Sequence, residues 1–275
     1  MWDAAQYLRF GGERARPFFD LVAQVGATRP GYVADLGCGP GNLTAALAQR
    51  WPDATVVGVD NSPEMIAAAQ ATVPATGPAT GPATGPATGP PHLSFSLGDV
   101  WSWRPARPLD VLTCNAVLQW VPDHDKLLLH WADLLAPGGW LAFQLPGNFD
   151  QATHVILGEL AKSPRWRGQL GDVQLNRQAG DPEHYVTLLA RAGYAVDAWE
   201  TSYLHILPGD NPVLDWTRGT ALRPVLAALD AGQAEAFLAE YGARLREAYR
   251  PQPFGTVLPF RRVFAVVHRT DPSQT

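Results

Sequence analysis

Asp35, Gly37, Gly39 and Gly41 stand at alternate positions in Val33-Ala34-Asp35-Leu36-Gly37-Cys38-Gly39-Pro40-Gly41-Asn42, which reads as a strand entering a glycine loop that opens a helix. Glycine lets the main chain approach a ligand without a Cβ in the way, and the helix start offers unpaired N–H groups. A dinucleotide loop asks for G-x-G-x-x-G, and the place of its third glycine is taken here by Asn42. An acid at the head of the loop, Asp35, suits a cationic ligand better than a pyrophosphate. Nineteen residues beyond Gly41, Asp60 ends a strand-like Thr55-Val56-Val57-Gly58-Val59, where a carboxylate can accept two hydrogen bonds from a ribose diol. Asp99, in Gly98-Asp99-Val100, is placed to take an adenine amino group while Val100 donates its main-chain N–H. Asn115 ends a later strand and is expected to contribute its main-chain carbonyl, with Ala116 to Pro122 as the wall beside the reacting group. Asn61, next to Asp60, and Gln119 and Trp120, within that wall, complete the expected cofactor contacts of this core.

The elements that must position these residues alternate through the first half of the chain. Apolar patterns predict strands at 32–35, 55–60, 93–97, 109–114 and 140–145, with helices at 42–50, 62–73 and 123–135 between them. Such alternation specifies an α/β fold, a doubly wound, mostly parallel, seven-stranded Rossmann-like sheet whose ligands bind outside the carboxyl ends of the strands. Farther on, 181–192, 211–228 and 232–250 read as helices, and 194–205 and 258–268 as long strands forming an antiparallel pair at the sheet edge. The expected organisation is one domain over 1–275: N-terminal cap helices in 1–30, a cofactor core in 31–145, a helical substrate cap within 146–257, and a closing strand. Ala75–Pro90 is four copies of Ala-Thr-Gly-Pro, a tract that cannot pack a core and reads as a loop insertion.

Composition narrows the partners. A formal charge of −5 leaves no general basic surface for a phosphate backbone, which argues against nucleic acid. No run of apolar residues is long enough to span a bilayer, and the opening residues lack a signal-peptide core, so a soluble, cytoplasmic and monomeric protein is expected. Cys38 and Cys114 offer neither a disulfide framework nor a metal-ligand spacing, and no metal is expected. A Ser/His/Asp arrangement is missing, and so is the D/N-P-P-Y element after the fourth strand that amine methylation commonly uses.

With these residues in place, the loop-plus-acid set resembles the S-adenosylmethionine site of class I methyltransferases. Several distal segments carry a narrower resemblance, to the trans-aconitate 2-methyltransferase family. They are Tyr7-Leu8, Glu13 to Pro17, Leu118 to His124, Gln144 to Phe149, Ala152 to His154, Trp199 to His205, Asp215-Trp216, Ala221 to Pro224 and Phe260 to Phe264. The resemblance implies methyl transfer from S-adenosylmethionine to one carboxylate of the small tricarboxylate trans-aconitate, giving a monomethyl ester, with Tyr7 as a further cofactor contact. Arg14, Arg223 and Arg262 are then the expected carboxylate clamps, with His154, Tyr203, His205 and Trp216 beside them. An ionised carboxylate needs no general base, so no catalytic side chain beyond these positioning groups is expected. The alternative is a methyltransferase for another small acid, a phenol or a quinone, with His124 or His154 as base. An oxidoreductase is disfavoured by Asn42.

Overall fold

The structure, a computed structural model, describes residues 11–72, 92–173, 175 and 179–271, with the side chains of 11–14 and 72 excepted. Tyr7, the Arg14 side chain and the Ala75–Pro90 tract lie outside the described residues.

Seven strands follow the apolar runs: β1 Tyr32–Leu36, β2 Thr55–Asp60, β3 Leu93–Leu97, β4 Leu109–Asn115, β5 Leu135–Pro146, β6 Ala195–Leu207 and β7 Thr256–His268. They form one sheet in the order β3-β2-β1-β4-β5-β7-β6. β1 to β5 pair in parallel, while β7 runs antiparallel to β5 and to β6, so the antiparallel pair stands at the sheet edge as the two long apolar runs predict. β1 is buried along its whole length because helices cover both faces, the condition under which a strand can be continuously apolar.

Strand alternation divides the side chains between two cores. Ala34, Leu36, Leu112, Phe143 and Val263 pack with α4 His124–Asp133 and α7 Pro182–Arg191 through Leu128, Trp131, Tyr185 and Leu189. Val33, Val56, Val111, Ala142 and Phe264 face α1 Gly11–Ala23 and α2 Asn42–Arg50, meeting Phe18, Leu21 and Leu47. α3 Pro63–Thr72 follows β2. A third core builds a cap at the end of the β6–β7 pair, where Leu207, Leu258 and Phe260 meet five helices: α5 Ala152–Lys162, α6 Arg167–Leu170, α8 Pro212–Arg218, α9 Arg223–Ala228 and α10 Ala231–Ala248. α10 is started by a capping box in which Asp230 accepts from the Gln233 N–H and Gln233 reaches back to the Asp230 N–H.

Besides α6, a single turn that the pattern does not mark, three elements differ from the sequence pattern. β5 begins at Leu135 rather than near Trp140, because Leu135 already pairs with Leu109 and a register shift absorbs Pro137-Gly138-Gly139. The single helix expected over 211–228 is two, broken at Gly219 to Leu222 ahead of Pro224. α5 is additional: Gln151 at its start makes no side-chain cap, so the sequence carried no start signal.

Candidate active site

The glycine loop joins β1 to α2 at the centre of the sheet. Gly37 has φ 75° and lies so close to Val117 that a Cβ would sit 2.1 Å from Val117 Cγ2, while Gly41, with φ 80°, would collide with Phe95 at 2.6 Å. Both positions require glycine on backbone and steric grounds. Gly39 faces open space, with nothing within 4 Å of where a Cβ would stand. The loop is tied to β2 by Gly37 N–H and Cys38 N–H, which donate to the Val59 carbonyl at 2.7 and 3.0 Å. Asp60 continues the tie, accepting from Gly39 N–H and from Ser62 N–H, each at 2.9 Å. A carboxylate has about four acceptor sites, so two remain for a ligand.

These residues border a cavity of about 450 Å³ at the carboxyl ends of the strands. Gly37, Gly39, Asp60, Asn61, Asp99, Val100, Asn115, Gln119 and Trp120 all line it, together with the Ala116–Val117 and Val121–Pro122 stretches of the expected wall. Asp99 accepts from Trp101 N–H at 2.9 Å through one carboxylate oxygen. Ala116 holds φ 58°, a left-handed conformation that a residue with a Cβ adopts at a cost of about 1–2 kcal/mol. It is pinned on both sides: its N–H donates to Gln144 O at 2.9 Å and its carbonyl accepts from Gln119 Nε2 at 2.7 Å.

The cavity continues under the cap, where His154, Trp216, Arg223 and Arg262 also line it. Arg262 is 5% exposed; its guanidinium stacks over the Phe260 ring at 4.6 Å and donates to Gln144 Oε1 at 3.3 Å. Strand alternation turns its neighbour Arg261 outward, where it pairs with Glu200 and Asp181. His154 Nδ1 lies 3.1 Å from Thr153 Oγ1, and burial lowers the pKa of Arg223. Strand order places Asp60 and Asp99 on the β2–β3 side and Arg262 on the β7 side, with the glycine loop and β4 between. One cavity thus has an acidic end and a cationic end.

Three expected site residues do not line this cavity. Asp35 is 2% exposed because alternation along β1 points it under α2, where Thr44 Oγ1 donates at 2.6 Å and Thr113 Oγ1 at 2.9 Å. It bolts α2 and β4 to β1, and burial raises its pKa from 3.8 to about 6. Tyr203 donates its hydroxyl to Asp20 on α1 at 2.7 Å, with Arg16 over its ring. His205 is the middle of an aromatic stack between Tyr203 and Trp216, with centroids 6.3 and 4.9 Å away, and only Trp216 reaches the cavity. His124, the alternative base, is likewise outside the lining: Nε2 meets Tyr185 Oη at 3.1 Å, and burial lowers its pKa.

The cavity also recruits residues that sequence reasoning passed over. Met65 and Trp101 extend the apolar wall near the acids, and Asn148, Phe149 and Phe260 extend it near the arginines. Asn148 is 1% exposed, and its Oδ1 has no partner among the described residues. Asn148 and Phe260 fall inside segments already singled out, and their nearness to Gln144 and Arg262 was the available signal.

A spare-acceptor acid beside an open glycine, a second acid near Val100, and apolar Met65 and Trp101 fit an adenosyl group. Comparisons with known proteins agree. A methyltransferase-domain family model matches residues 9–198. The trans-aconitate 2-methyltransferase of Streptomyces avermitilis is 51% identical over 271 residues, covering 98% of this chain and 97% of that protein. The enzyme of that name from Rhodococcus jostii is 46% identical, covering 97% and 98%. Among solved structures, a putative methyltransferase from Bacillus halodurans shares the fold at TM-score 0.56 and 12% identity, over 93% of this chain and 99% of that one. Phosphoethanolamine N-methyltransferase 2 of Haemonchus contortus, solved with S-adenosyl-L-methionine, aligns at TM-score 0.54 and 15% identity, over 95% of this chain and 56% of that one. The glycine loop, the acid at the end of β2 and this near-full-length similarity lead to one conclusion: the chain is an S-adenosylmethionine-dependent methyltransferase and belongs to the trans-aconitate 2-methyltransferase family.

Proposed function

We propose that this enzyme methylates one carboxylate of trans-aconitate to give a monomethyl ester. The observation that carries the reading is the division of charge within one cavity, acids at the glycine-loop end and Arg223 and Arg262 at the cap end. Bound S-adenosylmethionine supplies an electrophilic methyl on a positively charged sulfur. In this reading the free acceptor sites of Asp60 take the ribose hydroxyls, Asp99 and the Val100 N–H take the adenine edge, and Asn61, Gln119 and Trp120 flank them. Arg262 and Arg223 grip the carboxylates that do not react, and Arg14 is proposed as a third clamp. Guanidinium groups suit this task because their fork matches a carboxylate in two parallel hydrogen bonds and stays charged.

The acceptor oxygen arrives ionised, because an unperturbed carboxyl titrates near pH 4, about three units below neutrality. Alignment in a dry cavity is then the main contribution asked of the protein. Trp216, Phe149 and Phe260 supply apolar surface that keeps water from the cap end. A phenol or quinol acceptor would instead need a base. His124 is engaged with Tyr185, and His154 is the histidine that faces the cavity.

Incubating the enzyme with methyl-labelled cofactor and a panel of di- and tricarboxylates, then reading products by mass spectrometry, tests the proposal. A labelled monomethyl ester of trans-aconitate is expected. Label on no carboxylate in the panel overturns it.

A further inference from the structure

Gln144 is buried at 0% exposure in the middle of the sheet's carboxyl edge and does not line this cavity, yet it joins two residues that do. Its Oε1 accepts from Arg262 Nη1 at 3.3 Å on β7, and its Nε2 donates to Asn115 Oδ1 on β4. All three side chains leave the face of the sheet that carries Val111, Ala142 and Phe264, which is why β4, β5 and β7 can bring them into line. The direction of this line is not arbitrary. A guanidinium has five N–H donors and no acceptor, so Gln144 must turn its oxygen toward Arg262 and its NH₂ toward Asn115. Asn115 must then answer with its own oxygen. Since Asn115 also lines the cavity, the polar end it has left for a ligand is Nδ2, a donor.

We infer that Gln144 is a positioning residue that carries the donor polarity of Arg262 across the sheet to Asn115, so that the acceptor side of the cavity offers hydrogen-bond donors from both places. Such a wall favours an ionised oxygen acid. It disfavours an amine or a hydroxyl that must give up a proton to react, because neither finds an acceptor in the Asn115 side chain, whose Oδ1 is already engaged by Gln144. The inference deepens the carboxylate reading and rests on it for the identity of the acid, although the hydrogen-bond direction itself does not depend on any substrate. Asn115 alone would not have this preference, since an asparagine amide can turn either way.

Two substitutions separate polarity from packing. Gln144→Met keeps the length of the side chain and removes the relay, whereas Gln144→Glu accepts from both neighbours. The latter neutralises Arg262 and makes Asn115 donate inward, turning Oδ1 to the cavity. The expected result is a KM for trans-aconitate raised roughly tenfold in Gln144→Met and roughly a hundredfold in Gln144→Glu, with S-adenosylhomocysteine affinity within about twofold of wild type in both. A well-folded Gln144→Glu enzyme with wild-type KM overturns the inference, as does an equal loss of kcat in both variants with KM unchanged. If neither variant folds, Asn115→Asp at the half-exposed strand end gives the same test. It is expected to raise KM by roughly tenfold or more, and an unchanged KM overturns the inference.

A substrate-free measurement keeps the relay distinct from the choice of acid. In the wild-type protein the Gln144 side-chain amide protons, assigned by NMR, should exchange slowly with solvent, and those of Asn115 rapidly. The reverse order overturns the relay even if trans-aconitate is methylated; the expected order with no methylation of trans-aconitate removes only the substrate.

Discussion

Asp60 illustrates how one residue can serve both the fold and the site. Its carboxylate already holds Gly39 and Ser62, and the ribose role proposed for it uses only what is left over. Asp60→Ala is therefore expected to weaken S-adenosylhomocysteine binding by about 1.5–3 kcal/mol, measured by calorimetry, through loss of charge-assisted acceptors and a loosened loop. Unchanged affinity would remove Asp60 from the cofactor site. Asp35 has the opposite character, a buried carboxylate that steadies the loop from below. Its pKa is about 6 in the folded chain against 3.8 for the free group, so between these values the folded state holds a proton that the unfolded state has lost. Stability from this group therefore rises as pH falls from 6 toward 3.8, and above 6 the ionised form costs about 3 kcal/mol relative to the protonated one. The melting temperature of Asp35→Asn relative to wild type should be highest at neutral pH and should drop as pH falls through 6. A difference independent of pH contradicts the assignment.

At the scale of elements, the α1–β6 contact shows what a residue list taken from sequence alone can misplace. Tyr203 and His205 lie in a segment shared with the family, and the resemblance implies that they stand beside Arg262; they share its face of the sheet, pairing with Phe260 and Leu258, yet residues two apart on one face meet different neighbours along the strand. Tyr203 meets α1, His205 is sandwiched, and only their stacking partner Trp216 opens onto the cavity. Tyr203→Phe should accordingly lower the melting temperature by about 2–4 °C, the equivalent of one lost hydrogen bond of about 1 kcal/mol, with KM for trans-aconitate within about twofold of wild type. A steep rise in KM would return Tyr203 to the substrate site. β1 and β2 were readable because each is a short apolar run closed by a glycine or an acid, as in Val33 to Gly37 and Thr55 to Asp60. α5 was not, since its start is set by tertiary contacts: the Tyr241 hydroxyl donates to the Thr153 carbonyl at 2.8 Å, and no local cap announces it. The same limit hid Asn148 and Gln144, whose importance arises only when β4, β5 and β7 are side by side.

For the whole molecule, a seven-stranded sheet carries the acidic end of the cavity, with Asp60 and Asp99, and a separately cored helical cap carries much of the other end, including Trp216 and Arg223. The Ala-Thr-Gly-Pro tract follows α3 in sequence, and its composition gives it nothing to bury. Deleting 75–90 and rejoining the flanks with a short turn should leave turnover within about twofold and the melting temperature within about 2 °C, because loop length adds little closure entropy. A large loss of either would mean that the tract is docked.

The division of labour between the two ends of the cavity is the central claim, and Arg223→Gln and Arg262→Gln test it most directly. KM for trans-aconitate and the dissociation constant of S-adenosylhomocysteine should be measured on each variant. Removing either guanidinium should raise KM by roughly tenfold or more, the equivalent of about 1.5–3 kcal/mol for a charge-assisted bond, while the cofactor-product affinity stays within about twofold. Wild-type KM in both variants, or a parallel loss of cofactor affinity, would contradict a cavity that binds its cofactor at the acids and its carboxylates at the arginines.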